Sequence, residues 1–286
     1  MSRSRRLPVL LLMSIVGMFA AADATAQQAP NAKHRPKRIL LLGQKPDSHP
    51  RLTHEYMAAT RIMANLLQDR GDLQVLIHQA DNPWEKGPEL LEGADAAVLF
   101  LTEGAKWVSD DADRLAAFQR LARRKGGLVC LHWGSGTRDA QPIDNFVALF
   151  GGCHGGPDRK YKVGDFDLAP ASNLHVILSG IGPFGSHDEL YFDLKFPRDR
   201  TGHIGLLNTK VGDTHYPVAW CWERPDGGRS FGFTGLHFHE NWKLTEYRRL
   251  VLQGILWTVH ETIPVEGLNV KLDPAAFDLP KDGTPD

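Results

Sequence analysis

The residues able to do chemistry in this 286-residue chain stand in short clusters, each beside an apolar run. His54-Glu55 opens a helical stretch, and Thr102-Glu103 follows Ala-Ala-Val-Leu-Phe. Cys130-Leu-His132-Trp133-Gly134 ends another apolar run. Later come His154, Asp188-Glu189-Leu-Tyr191 and His237-Phe-His239-Glu-Asn241-Trp242. Imidazole can bind, donate or accept a proton near neutral pH, and a carboxylate can serve as general acid or base. Thirteen histidines and seven tryptophans suit a polar pocket with aromatic walls. Such a pocket fits a sugar, whose C–H face is apolar and whose rim carries hydroxyls.

Each cluster has a definite expectation. His132 stands at a strand-to-helix turn, where nucleophile elbows are found, with Cys130 two residues earlier on the strand. Imidazole does not form the thioester that glutaminase chemistry requires, so glutaminase and cysteine-peptidase activities are excluded. Cys130 reads as a small buried hydrophobe. His132 and Glu55 are the candidate catalytic pair. His237 and His239, two apart on an expected strand, point to the same side; both could meet one divalent transition metal such as zinc, or one sugar. His54, Glu103, Trp133, His154, Asp188, Glu189 and Trp242 are candidate substrate contacts. Three of these have equally good structural readings: Trp242 as an anchor for the last helix, and Asp188-Glu189 as a solvated pair.

The elements that must position these residues follow from periodicity. Residues 37–43, 72–78, 95–101 and 127–131 are apolar runs that read as buried parallel strands. Between them, Thr53 caps a helix with apolar positions at Tyr56, Ala59, Met63 and Leu66, closing at Gly71. Ser109 caps a second helix with Leu115, Phe118 and Leu121 on one face. After Gly151-Gly152 the segments 161–168, 190–196, 203–207, 217–223 and 230–236 read as strands, and residues 244–260 as a final helix. The fold class is therefore α/β: a doubly wound, mostly parallel sheet in one domain with a β-rich C-terminal half. In such sheets ligands bind outside the carboxyl ends of the strands, where the polar clusters fall.

Composition narrows the function further. The formal net charge is −1, and no basic block stands out beyond Arg3–Arg6, which argues against a nucleic-acid partner. No nucleotide cofactor is expected, and the polar clusters with aromatic neighbours make a small-molecule sugar the expected partner. Residues 1–26 read as a signal peptide cleaved between Ala26 and Gln27: arginines, an apolar run shorter than a spanning helix, then Ala24-Thr25-Ala26. No stable membrane anchor is expected after processing. The mature protein is expected to be secreted, to a bacterial periplasm, with residues 27–36 as a linker and 261–286 as a tail. Three cysteines exclude a disulfide framework but allow one bridge between Cys153 and Cys221.

Taken together, the motifs resemble the trehalose-utilisation (ThuA-like) family over residues 37–260. The matching marks are His54-Glu55, Leu-Val-Cys-Leu-His132, Gly151-Gly-Cys-His154, Asp188-Glu-Leu-Tyr191, Pro217-Val-Ala-Trp220, Gly228-Arg229 with Gly235-Leu-His237, and Arg248 through Trp257. Many relatives place Gly directly before the histidine that matches His237; this chain has Leu236 there. The resemblance implies a fold similar to class I glutamine amidotransferases. It also implies a role in disaccharide catabolism, in some members beside enzymes that oxidise sugars at C3. Two functions fit: an enzyme acting on a glycoside or keto-sugar by acid–base chemistry, with or without a metal, and a non-catalytic sugar-binding protein using the same pocket.

Overall fold

The computed structural model describes residues 35–279, apart from 69, 71 and 172–174. The expected signal peptide, most of the linker and the helix stop at Gly71 lie outside the described residues. In chain order the first half comprises β1 (Lys37–Gly43), α1 (Tyr56–Leu67), β2 (Leu73–Gln79), α2 (Gly87–Glu92), β3 (Ala96–Leu99), α3 (Gly104–Ser109), α4 (Ala112–Arg123) and β4 (Gly127–Leu131). The second half adds β5 (Gly136–Thr137), α5 (Ile143–Phe150), β6 (His154–Gly155), β7 (Lys160–Pro170), β8 (Phe184–Phe192), β9 (His203–Val211), β10 (Thr214–Glu223), β11 (Arg229–Phe233) and α6 (Thr245–Thr258). Among the described residues no helix is long and apolar enough to cross a membrane.

Nine strands form one sheet in the order β2-β1-β3-β4-β11-β10-β9-β7-β8. The four strands expected from sequence pair in parallel, and β11 joins β4 in parallel as a fifth, Ser230 opposite Leu128 and Phe233 opposite Leu131. The remaining four strands extend the sheet in antiparallel fashion. Side chains of successive strand residues point to opposite faces, so the apolar runs feed two cores. Ile39, Leu41, Val129, Leu131 and Phe233 pack under α1 and α6. Leu40, Leu42, Leu128 and Cys130 pack with Phe118, Phe146 and Phe150 on the other face. Each such fully buried Leu, Ile or Phe contributes about 1.5–3 kcal/mol.

Local chemistry moves some boundaries. Ser109 ends α3 instead of capping the next helix; Asp111 caps α4 by accepting from the Arg114 N–H. The expected strand through Leu236 stops at Phe233, because residues 234–238 turn sharply. Leu236 takes a left-handed φ of 84°, and His239 begins a short 3-10 turn. Glycine is the residue that adopts such a left-handed position without strain. All three cysteines are free and buried; Cys153 and Cys221 belong to the cores on opposite faces of the sheet, so the allowed bridge does not form. Residues beyond α6 dock onto it: Arg248 donates to the Val270 carbonyl and the Gln253 carboxamide accepts from the Leu268 N–H.

Candidate functional site

The carboxyl ends of β1, β4 and β11 bring three imidazoles together. His132 follows β4 directly, with a left-handed φ of 46°; His54 follows β1, with φ 55°. Strained backbone of this kind clusters at functional sites. The turn that carries His132 presses so closely on β3 that a Cβ at Gly134 would lie 2.6 Å from the Leu99 carbonyl oxygen. The third imidazole, His237, is placed by a buried carboxylate. Asp188 accepts from the backbone N–H of Leu236 (2.7 Å) and of His237 (3.0 Å), and from the Tyr247 hydroxyl (2.9 Å).

Three ring nitrogens converge. His54 Nε2 lies 3.0 Å from His132 Nε2, His132 Nε2 lies 3.2 Å from His237 Nδ1, and His237 Nδ1 lies 3.0 Å from His54 Nε2. The opposite nitrogens fix the tautomers of two rings. His132 Nδ1 faces the Thr234 carbonyl at 2.9 Å and must donate to it; His54 Nδ1 donates to the Asp47 carboxylate at 3.0 Å. Asp47 is itself held by the hydroxyls of Tyr56 (2.9 Å) and Thr102 (2.8 Å). His54 and His132 therefore aim lone pairs at each other. Ligands about 2.0–2.1 Å from one ion stand about 3.0 Å apart in octahedral and about 3.3 Å apart in tetrahedral geometry. The observed triangle fits that range, and a carboxylate behind a histidine is the usual way its metal-facing nitrogen is fixed. Glu189 Oε1, 4.0 Å from both His132 and His237, and the Tyr191 hydroxyl, 3.0 Å from His132, border the open side.

Residues 41–258 match the family model of ThuA, trehalose utilisation. The chain belongs to the ThuA family. This membership supports a carbohydrate-related role. The fold is similar to that of a putative ThuA-like protein from Bacteroides uniformis, with a TM-score of 0.61 at 17% identity, covering 81% of this chain and 94% of that one. It is also similar to part of a GH42 β-galactosidase from G. stearothermophilus: TM-score 0.51, 9% identity, 78% of this chain and 30% of that one. A glutamine amidotransferase from Thermotoga maritima matches with a TM-score of 0.47 at 9% identity, covering 80% of this chain and all of that one. No curated protein matches.

In this ThuA-family chain, the open cleft next to the three histidines has a volume of roughly 110 Å³ and is lined in part by Trp133, His154, Glu189 and Tyr191. Tyr191 is the spine of the wall: its ring stacks on His154 at 3.9 Å and on His132 at 4.7 Å. Burial, reinforced by the neighbouring rings, drives His132 well below the usual imidazole range and His237 down to about 4. Burial likewise lowers His54, and takes His154 to about 3. All are neutral ligands or acceptors at neutral pH. Asp47 stays ionised: burial opposes its charge, but hydrogen bonds from His54 and the His49 N–H hold it well below the usual carboxylate range. Burial raises Glu189.

Of the residues singled out from sequence, His54, His132, His237, Glu189, Trp133 and His154 come together. Others do not. His239 was expected beside His237, but the turn at Leu236 sends it away, and its Nε2 donates to the Phe277 carbonyl at 2.8 Å. Glu55 caps its own turn, accepting from the Leu52 N–H at 2.8 Å, and is not set against His132. Glu103 is bound to Arg138 through both its guanidinium and its backbone N–H. Asp188 is fully buried as the brace described above. Trp242, 1% exposed, packs in the core against Phe100. Sequence reasoning missed Asp47, Tyr56 and Thr102 as supports of His54. The Asp47-Ser-His49 stretch just after β1 was the available signal.

Proposed function

We propose that this exported ThuA-family protein holds one divalent transition metal between His54, His132 and His237, and uses it to act on a keto-sugar or glycoside by acid–base chemistry. The observation that carries this is the His54–His132 contact: two lone pairs face each other at 3.0 Å, an arrangement a cation relieves. Such an ion supplies Lewis-acid polarisation of a sugar oxygen. The chain's own groups supply the rest. Glu189, at the pocket edge of the triangle and with a raised proton affinity, takes over from Glu55 as the base. On a sugar with a carbonyl at C3, the C2 proton is acidic. Glu189 removes it, the C2–H electron pair moves toward C3, and its return forms the C1–C2 double bond and expels the C1 substituent, whose oxygen takes the proton now held by Glu189. Tyr191 and His154 hold the ring oxygens, and Trp133 offers the apolar face.

The alternative, a sugar-binding protein without turnover, uses the same pocket. The test is to incubate purified mature protein with disaccharides and their 3-keto forms, with and without added zinc. Metal-dependent release of monosaccharide supports the enzyme; saturable binding with no product supports the binding protein. N-terminal sequencing of secreted material checks export, with Gln27 as the expected first residue.

A further inference from the structure

The cleft holds one cation that its own carboxylates do not neutralise. Arg138 is committed to Glu103. Behind the wall, Lys195 pairs with Asp158 at 2.6 Å and Lys160 with Asp193 at 2.8 Å. A divalent ion on the three histidines is balanced by Asp47, through His54, and by Glu189. Arg159 has no carboxylate partner among the described residues. Its guanidinium donates from Nη1 to the Gly156 carbonyl at 3.2 Å, and this half-buried side chain lines the cleft.

Two residues further on, Tyr161 lies on β7 opposite Tyr191 on β8. Directly opposed residues of an antiparallel pair share a face, so Tyr161 carries the aromatic wall of Tyr191 outward. It is 56% exposed and lines the cleft. An open aromatic ring beside an unpaired guanidinium makes a platform with a charge at its edge. Arg is the residue best suited to bind carboxylate or phosphate through two parallel hydrogen bonds.

We propose that Arg159 and Tyr161 form an outer subsite for a second sugar ring that carries an anionic group, a carboxylate or a phosphate monoester, so that the preferred substrates are acidic disaccharides. This rests on the sugar-pocket reading above. Tyr161 takes the ring face and Arg159 takes the anion.

The experiment is calorimetric titration of the zinc-loaded mature protein with cellobiose, cellobiouronic acid and cellobiose 6′-phosphate. Acidic probes should bind at least tenfold more tightly than cellobiose. Arg159→Gln should abolish that preference, leaving all three at the affinity of the neutral sugar, and Tyr161→Ala should weaken all three. The stronger of the two acidic probes identifies the anion. Equal affinity of wild type for neutral and acidic probes overturns the proposal. So does an Arg159→Gln variant that weakens all three equally, and so does failure of all three to bind. Zinc content, measured on the same samples, reports on the three-histidine centre separately, so loss of that centre is told apart from loss of the acidic preference.

Discussion

His54 and His132 lie 78 residues apart in sequence, yet their Nε2 atoms stand 3.0 Å from each other, each with its proton fixed on the far side of the ring. Neither ring can donate to the other as placed. Asp47 and the Thr234 carbonyl impose this orientation, so the supports should matter nearly as much as the rings themselves.

Asp47→Asn should therefore weaken metal binding by about 10–100-fold, the usual cost of losing a partner behind a ligating histidine. Competition against a chromogenic chelator measures it. Unchanged affinity would mean that the Tyr56 and Thr102 hydroxyls orient His54 without the carboxylate.

Acid should release the metal and loosen the fold together. An unfolded imidazole titrates near 6.5, while His237 in the fold titrates near 4 and His54, His132 and His154 are also lowered. Between those values the unfolded chain binds protons that the folded chain does not, so stability rises with pH across this window and falls as pH drops from about 6.5 toward 4. Asp188, raised to about 6 by burial, works in the opposite direction between its ordinary value of 3.8 and 6, and Glu189, also raised by burial, works the same way as Asp188, two carboxyls against four imidazoles. Melting temperatures of the apo-protein at pH 7.5, 5.5 and 4.5 should decline in that order. A flat profile would contradict the buried neutral histidines.

Glu189 and Glu55 separate cleanly by mutation. Glu189→Gln should lower kcat by about 10²–10⁴-fold, the typical contribution of a general base. Glu55→Gln keeps an oxygen for the Leu52 N–H and should leave kcat within about twofold. The reverse order would return the base to Glu55.

How much of this was legible in the sequence depends on the range of the interactions involved. Strand β1 and strand β4 appeared with the bounds observed, because an unbroken apolar run between turn residues reflects burial on both faces, a local signal. The His132 turn was legible for the same reason: it ends such a run. His239 was not, because its position depends on Leu236 taking a left-handed backbone, which a leucine does not advertise. Asp47 was hidden in a polar loop, its role set by Tyr56 and Thr102, the latter just past the carboxyl end of β3. Trp242 looked like a sugar platform because tryptophan serves both uses; only burial against Phe100 decides between them.

Trp242→Ala should accordingly cost about 3–5 kcal/mol of stability, the range for removing a large core aromatic, seen as a lowered urea midpoint. Sugar affinity of the folded fraction should stay unchanged. Selective loss of sugar binding at unchanged stability would place Trp242 in the pocket after all.

The most direct test is elemental analysis of the protein purified without chelators, beside His237→Ala and His239→Ala. A three-histidine centre predicts close to one equivalent of a transition metal in wild type and in His239→Ala, and close to none in His237→Ala, with all three folded by circular dichroism. Metal-free wild type that also fails to take up added zinc would contradict it, as would full metal content in His237→Ala.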